Sequence, residues 1–353
     1  MRKSMVSKIW IPAFLLAALV AGCGDSDKNA GAAGGPLTPP TVVSVVPAAG
    51  APGICQNAIV TATFSKAMNP ATINTGTFTL ATGGTAVLGT VALDSTGLVA
   101  TFTPTNPLAL NTPYTATVTT GAQDAFGNGL ALNFTWTFTT ATTACPGPIA
   151  FGPPGCGFGI LAGSTVTNTG ATNVTGNVGV WPGTAIIGFP PGTLTGTFST
   201  GPGPGPAMTA QGQLTAAYNA AAGAANTGGA LPGDIGGKTL FPGVYTTASS
   251  LGITGDLTLD GQGNPNAVWI FQIGSTLTTA GGKVNLINGA VAQNVNWQIG
   301  SSATLGIGTT MAGNLMAQAS ITLNTGATLN GRALARTGAV TLADNPVNVP
   351  PCP

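Results

Sequence analysis

The stretch from Ile321 to Arg336 reads Ile-Thr-Leu-Asn-Thr-Gly-Ala-Thr-Leu-Asn-Gly-Arg-Ala-Leu-Ala-Arg, and few folds accommodate it. Side chains of a strand alternate between faces, so Ile321, Leu323, Leu329 and Leu334 turn inward while Thr322, Thr325 and Thr328 turn outward. Gly326 and Gly331 stand where the backbone must turn. Similar phrases occur over 164–172, 275–279, 301–310 and 337–342. Short strands with small residues at their corners predict a wound β-solenoid that presents Ser and Thr in ranks.

The totals narrow the functional classes. A length of 353 residues fits roughly two domains. The chain holds 54 Gly and 27 Pro, yet 43% of it is hydrophobic, which argues against a disordered polar chain. Only 5% is charged and the net charge is +1, so there is no basic footprint for nucleic acid. There is no His, and every acidic residue is Asp. General acid–base catalysis draws most often on His or Glu, and metal sites on clustered His, Cys, Asp and Glu. Neither an enzyme, a metal site nor a cofactor is therefore expected.

Residues 1–22 read as an export signal: Arg2, Lys3 and Lys8 precede the apolar run from Ile9 to Val20, which is too short to span a membrane. Val20-Ala21-Gly22-Cys23 resembles the bacterial lipobox, and the alternative is an ordinary secretory cleavage site. The resemblance implies diacylglycerol on Cys23, and acyl chains anchor through their buried methylenes. Gly24 follows in place of the Asp that marks inner-membrane retention, so the outer membrane or cell surface is the expected location. Residues 23–40 read as a flexible tether.

Residues 41–140 carry period-two runs at 58–64, 77–80, 98–102, 114–119 and 134–139, separated by turn residues, as in an Ig-like β-sandwich. The phrases Phe64-Ser65-Lys66-Ala67-Met68-Asn69, Asp124-Ala125-Phe126-Gly127-Asn128 and Thr137-Phe138-Thr139-Thr140 resemble bacterial Ig-like domains, which implies a spacer. Asp124 with Asn128 reads as a side-chain-held turn rather than a cation site. A linker over 141–157 follows. With Cys23 set aside, Cys55, Cys145, Cys156 and Cys352 allow three pairings. We favour Cys55–Cys145, closing the sandwich, and Cys156–Cys352, tying the solenoid's ends.

Residues 158–353 are the solenoid, interrupted at about 207–226 by a helix with Leu214, Tyr218, Ala221, Ala222 and Ala225 on one face. Its phrases include Phe158-Gly159-Ile160-Leu161-Ala162, Thr175-Gly176-Asn177-Val178-Gly179-Val180, Leu240-Phe241-Pro242-Gly243-Val244-Tyr245 and Ala267-Val268-Trp269-Ile270-Phe271-Gln272-Ile273-Gly274. Trp297-Gln298-Ile299-Gly300 and Asn330-Gly331-Arg332-Ala333-Leu334-Ala335 complete the set. Together these resemble the microbial ice-binding protein family. The resemblance implies an irregular, right-handed, three-sided β-solenoid with one long helix packed alongside, so the whole chain is expected to be mainly β.

The family's ice-binding phrase is Thr, Ala or Gly, any residue, then Thr or Asn. It matches at Thr169-Gly170-Ala171-Thr172 and Thr325-Gly326-Ala327-Thr328, while Thr279-Ala280-Gly281-Gly282 departs from it. The candidate ice-contacting residues are Thr169, Thr172, Thr276, Thr278, Thr304, Thr322, Thr325 and Thr328. Ice and, through the lipid, a membrane are the expected partners of a monomer.

Weaker features point elsewhere. A polysaccharide-binding adhesin is the main alternative, with Trp181, Trp269 and Trp297 available to stack on sugar; Trp269 and Trp297 sit in apolar strands and read as core. Asp256 and Asp260 resemble a glycosidase pair in spacing, but Asp260-Gly261-Gln262-Gly263-Asn264 reads as a turn. Arg332 and Arg336 are expected to pair with Asp.

Overall fold

The computed structural model describes residues 38–149 and 151–352. The export signal, Cys23 and nearly all of the tether lie outside the described residues.

The alternating runs of the N-terminal domain form two sheets. A four-stranded antiparallel sheet comprises Val42–Val46, Val60–Phe64, Val99–Pro104 and Gly89–Leu93 in that order. A five-stranded sheet comprises Ala51–Ile54, Phe134–Thr140, Pro113–Val118, Phe78–Thr82 and Thr85–Ala86. Val60, Ala62, Phe64, Phe78, Leu80, Phe102, Tyr114, Trp136 and Phe138 face each other between the sheets and are buried, as period-two patterning requires. The Tyr114 hydroxyl accepts a 2.8 Å hydrogen bond from the Ala109 amide, so its polar tip is satisfied at the edge of an apolar core. The Asp124 carboxylate accepts from the amides of Phe126 and Asn128, at 2.9 Å each, and from the Asn128 side chain. Lys66 approaches it at 3.8 Å. Asp124 therefore holds a turn.

The C-terminal domain is a coil of parallel strands in sheets of twelve, seven and three. Winding is discontinuous. Phe158–Ala162 and Thr165–Thr169 pair on one side with the late strands Thr328–Ala335 and Val340–Ala343. On the other side they pair with the early strands Asn177–Val180 and Ala185–Ile187. The chain thus lays its first rungs at one end and then crosses to the other through the helix Pro206–Ala222. Seventeen residues rise about 25 Å, or roughly five strand spacings at ~4.8 Å each. Beyond the helix, the chain winds back until its last rung meets its first.

The helix buries Ala207, Ala210, Gln211, Leu214, Ala217, Tyr218 and Ala221 against Phe158, Leu161, Val244, Ile270, Met316 and Leu334 of the twelve-stranded sheet. It is shorter than the expected 207–226, and Ala222 and Ala225 are exposed. Gln272 explains the stop: its amide donates to the carbonyls of Ala221, Ala222 and Ala224 at 2.8, 3.2 and 2.7 Å. These are acceptors that further helical turns would otherwise need to satisfy.

Inside the coil, Tyr245, Phe271 and Trp297 occupy one register position. Their rings stack, with centroids 5.7 Å apart for the first pair and 3.9 Å for the second. Trp269 and Trp297 are fully buried, so neither offers a platform to a sugar. Disulfides join Cys55 to Cys145 and Cys156 to Cys352, with Cα–Cα distances of 5.5 and 5.3 Å.

The arginines do not pair with Asp. Arg332, 1% exposed, donates to the carbonyls of Cys156 and Pro350 and to the Asn314 side chain, at 2.9, 2.7 and 3.0 Å. Burial draws its guanidinium down to about 10, which leaves it charged at neutral pH. Arg336 lies over the Tyr218 ring, 4.5 Å from the centroid, and donates to the Gln318 side chain. Among the described residues only Lys66 and Asp124 form an ion pair. Arg332 and Arg336 are thus left to carbonyl, amide and ring partners.

Candidate functional site

Among the described residues, the helix packs on the twelve-stranded sheet, and its cluster includes no residue of the seven-stranded wall. The order of that wall is Ala185–Ile187, Thr165–Thr169, Val340–Ala343, Ile321–Leu323, Ala303–Leu305, Leu277–Ala280 and Leu251–Thr254. Val166, Val340, Leu342, Ile321, Leu323, Ala303, Leu305, Leu277, Leu251 and Ile253 turn inward and are buried. Alternation then sends the intervening residue of every strand outward.

Those outward residues are in register. Gly252 pairs with Thr278, Thr278 with Thr304, Thr304 with Thr322, and Thr322 with Thr341. Thr341 pairs in turn with Thr167, and Thr167 with Ile187. Five threonines therefore stand in one file on adjacent parallel strands, spaced by about 4.8 Å. Thr278 and Thr341 are exposed and Thr167, Thr304 and Thr322 half-buried by their neighbours. None of the five hydroxyls has a hydrogen-bond partner among the described residues.

The file beside it behaves differently. Ser250, Thr276, Ser302 and Ser320 each precede an inward residue, and their hydroxyls are engaged within the fold. Thr276 donates to Ser250 at 2.8 Å, while Ser302 and Ser320 accept from the amides of Ser320 and Ala339 at 3.3 and 3.2 Å. A hydroxyl bonded to its own scaffold has less capacity left for anything outside. Of these two files, only the threonine one leaves every hydroxyl without a partner among the described residues.

No charged residue lies on these seven strands. Part of the twelve-stranded sheet is covered by the helix. The three-stranded sheet (Thr239–Leu240, Leu257–Asp260, Val284–Ile287) is bordered by Lys238, Asp256, Asp260 and Lys283. There Asp256 accepts from the Lys283 amide at 2.9 Å, tying adjacent rungs, and Asp260 from the Gln262 amide at 2.8 Å, holding a turn. The Ig-like domain touches the coil away from the threonine wall. Asn264 donates to Asn57 at 3.2 Å, and a Cβ on Gly263 would come within 2.5 Å of Val46.

The eight candidate threonines separate into three groups. Thr276, Thr278, Thr304 and Thr322 lie on the wall, and Thr169 is exposed at its edge opposite Ala343. Thr325 is exposed in a turn beyond Leu323, and Thr328 begins a strand of the twelve-stranded sheet, opposite Thr310. Thr172 is fully buried, its hydroxyl accepting from the Asn345 amide at 2.9 Å, and so is no surface residue. Both Thr-x-x-Thr phrases cross a corner, with Gly170 at φ 96° and Gly326 at φ 71°. A turn breaks the alternation, which sends the second threonine to another wall or inside. Thr167 and Thr341 were absent from the candidate set. Their alternation is visible in the chain, but their alignment depends on the pairing of its earliest and latest rungs.

Comparison with known proteins bears on the same segments. Residues 160–348 match the family model described as ice-binding-like, and residues 37–140 that of a bacterial Ig-like domain. An ice-binding protein of Nostoc sp. is 48% identical over 194 residues, covering 54% of this chain and 71% of that protein. One from Flavobacterium frigoris is 38% identical over 209 residues, covering 55% and 74%. Among solved structures, an ice binding protein from an Antarctic biological consortium superposes with a TM-score of 0.56 at 49% identity, covering 57% of this chain and 91% of that one. The ice-binding protein of the Antarctic ascomycete Antarctomyces psychrotrophicus gives 0.55 at 40% identity, covering 57% and 99%.

Proposed function

Because this chain belongs to the ice-binding-like family, we propose that it adsorbs to ice through the seven-stranded wall and there restrains ice growth or recrystallisation. The observation that carries this reading is the file Thr278, Thr304, Thr322, Thr341 and Thr167, whose hydroxyls are in register and unpaired.

The physical argument follows from what ice is. A lattice of ordered water offers many weak contacts at fixed intervals, so its binder needs repetition and rigidity more than a deep pocket. Thr meets both needs. It is β-branched, occupies few χ1 states and loses little side-chain freedom on adsorption. Its hydroxyl joins the water network while its methyl limits the alternatives open to neighbouring water. Each water-mediated bond contributes modestly, so the ranked array carries the affinity. Charges would hold hydration shells of their own, and the wall has none.

The chemistry upstream completes the proposal. Diacylglycerol on Cys23 anchors the protein at the outer membrane or cell surface, residues 24–40 act as a tether, and the Ig-like domain serves as a spacer. One chain presents the entire file, so the protein acts as a monomer. It holds ice close to the cell, or governs its growth there, without catalysis.

The test is partition into a slowly grown ice hemisphere. Thr322→Lys places a charge at the centre of the file and is expected to cut incorporation into ice sharply while leaving the thermal melt unchanged. Undiminished incorporation would refute the reading. For the anchor, Cys23→Ser is expected to move the protein from the detergent phase to the aqueous phase; retention in the detergent phase would count against lipidation.

A further inference from the structure

The threonine file has two ends, and they differ. At one, Thr167 is followed by Ile187, which is 57% exposed. At the other, Thr278 is followed by Gly252, and Gly252 bridges in parallel to Asp234. Asp234 is exposed and its carboxylate leans across the gap that Gly252 leaves. A Cβ built on Gly252 would lie 3.4 Å from both its Cγ and its Oδ2. Along one line run a carboxylate just beyond the wall's edge, then on the wall itself a gap, five threonines and an isoleucine.

We propose that Asp234 and Ile187 delimit the ice-contacting array, the first by charge and the second by lacking a hydroxyl, so that adsorption is confined to the five rungs between them. The inference rests on the wall being the ice-contacting surface and adds where that surface stops. A carboxylate surrenders its water only at a large desolvation cost, so the water above Asp234 stays oriented around the charge rather than in a lattice. Asp234 has no cationic partner within ion-pair distance among the described residues. Hydrogen bonds from Thr254 and the Gly236 amide hold its carboxyl below the usual range, so it remains ionised across the neutral region. Ile187 matches the β-branching of Thr and fills the same register position, yet offers ice only apolar surface.

The side chain also has a structural task that needs no charge. One oxygen of Asp234, Oδ1, accepts from the amides of Gly236 and Thr254 at 2.8 and 3.1 Å, closing the turn that starts the neighbouring rung. Asn has an Oδ1 that can make both bonds. Asp234→Asn therefore removes the charge and keeps the turn, which separates the electrostatic effect from the structural one.

The experiment uses the full chain and three variants, Asp234→Asn, Ile187→Thr and Thr322→Lys, each checked by thermal melt. The readout is the fraction incorporated into an ice hemisphere at sub-saturating protein. Asp234→Asn and Ile187→Thr are each expected to raise incorporation by roughly two- to fivefold, the gain from about one added water-mediated contact, while Thr322→Lys lowers it. Incorporation unchanged in both end variants, with Thr322→Lys still deleterious, would overturn the limits and leave the wall standing. A rise in only one of the two would overturn the role of the other. If Thr322→Lys itself has no effect, the wall is not the ice-contacting surface and the limits fall with it.

Discussion

Arg332 donates its Nε–H to the backbone carbonyl of Cys156 at 2.9 Å, joining residues 176 apart in the chain. The same guanidinium reaches the Pro350 carbonyl and Asn314, and Asn314 donates onward to Asn296 at 3.0 Å. Asn296, Asn314 and Arg332 share a register position on adjacent strands. A line of side-chain hydrogen bonds thus runs along the coil and ends on the segment that enters the domain and the segment that leaves it. Bonds of this kind polarise one another inside a low-dielectric core.

Arg332→Met should remove the charge, keep much of the volume and leave three acceptors without their donor. We expect a loss of about 2–4 kcal/mol, since a buried acceptor left unsatisfied costs ~1–3 kcal/mol. Denaturant unfolding of the coil checks this, and Arg332→Lys is expected to recover only part of the loss because an ammonium cannot span the same fork.

Thr172 and Thr322 make opposite predictions although both are outward candidates by sequence pattern. Thr172→Val removes the buried acceptor of the Asn345 amide and should cost about 1–2 kcal/mol of stability, with ice incorporation per folded molecule unchanged. Thr322→Lys should do the reverse. Measuring the thermal midpoint and the incorporated fraction on both variants separates a corner bond from a contacting surface.

Ser302 and Ser320 lie beside the threonine file with their hydroxyls already accepting backbone amides. Replacing either by Ala should lower stability by roughly 0.5–1.5 kcal/mol and change ice incorporation far less than Thr304→Ala does. Equal losses from Ser302→Ala and Thr304→Ala would contradict the division between engaged and unpaired hydroxyls.

Asp124 carries a pH prediction for the Ig-like domain. Hydrogen bonds from the Asn128 side chain, with further help from the amides of Asn128 and Phe126 and from Lys66, hold its carboxyl below the ordinary 3.8. A depressed folded value means that the stabilisation is fully present above the unfolded value and disappears as pH falls through the folded one. The melting temperature of the sandwich should fall as the medium is acidified below about pH 4, and Asp124→Asn should flatten that dependence.

Reduction of Cys55–Cys145 opens a loop whose ends are separated by 90 residues. Loop-closure entropy places the expected loss at about 4–5 kcal/mol, read as a lower denaturation midpoint of the sandwich. The Cys55→Ser, Cys145→Ser double variant should reproduce it without a reductant.

Much of this architecture was legible in the chain. Alternation between apolar residues and Thr marks strands because a period of two can bury only one face, and it located Ile321, Leu323 and Leu329 inside the coil and Thr322 outside it; Leu334, expected inward, instead lies on the outer face and is buried under the helix. The helix was visible from Leu214, Tyr218 and Ala221, but not its end, because Gln272 on a distant strand supplies the donor that caps it. The partners of Arg332 are not legible for a related reason: charge suggests a carboxylate, whereas the fold brings backbone carbonyls to it.

Local pattern by itself determined that this chain winds threonine-bearing, nearly uncharged strands into a coil, since each strand's two faces follow from its own residues. Which threonines stand together was decided only in three dimensions. Parallel strands pair through backbone groups that are the same in every residue, so no side chain announces that Thr341 lies between Thr322 and Thr167. Corner geometry then sends Thr172 inside while leaving Thr169 exposed, and that geometry exists only once the last rung has closed against the first.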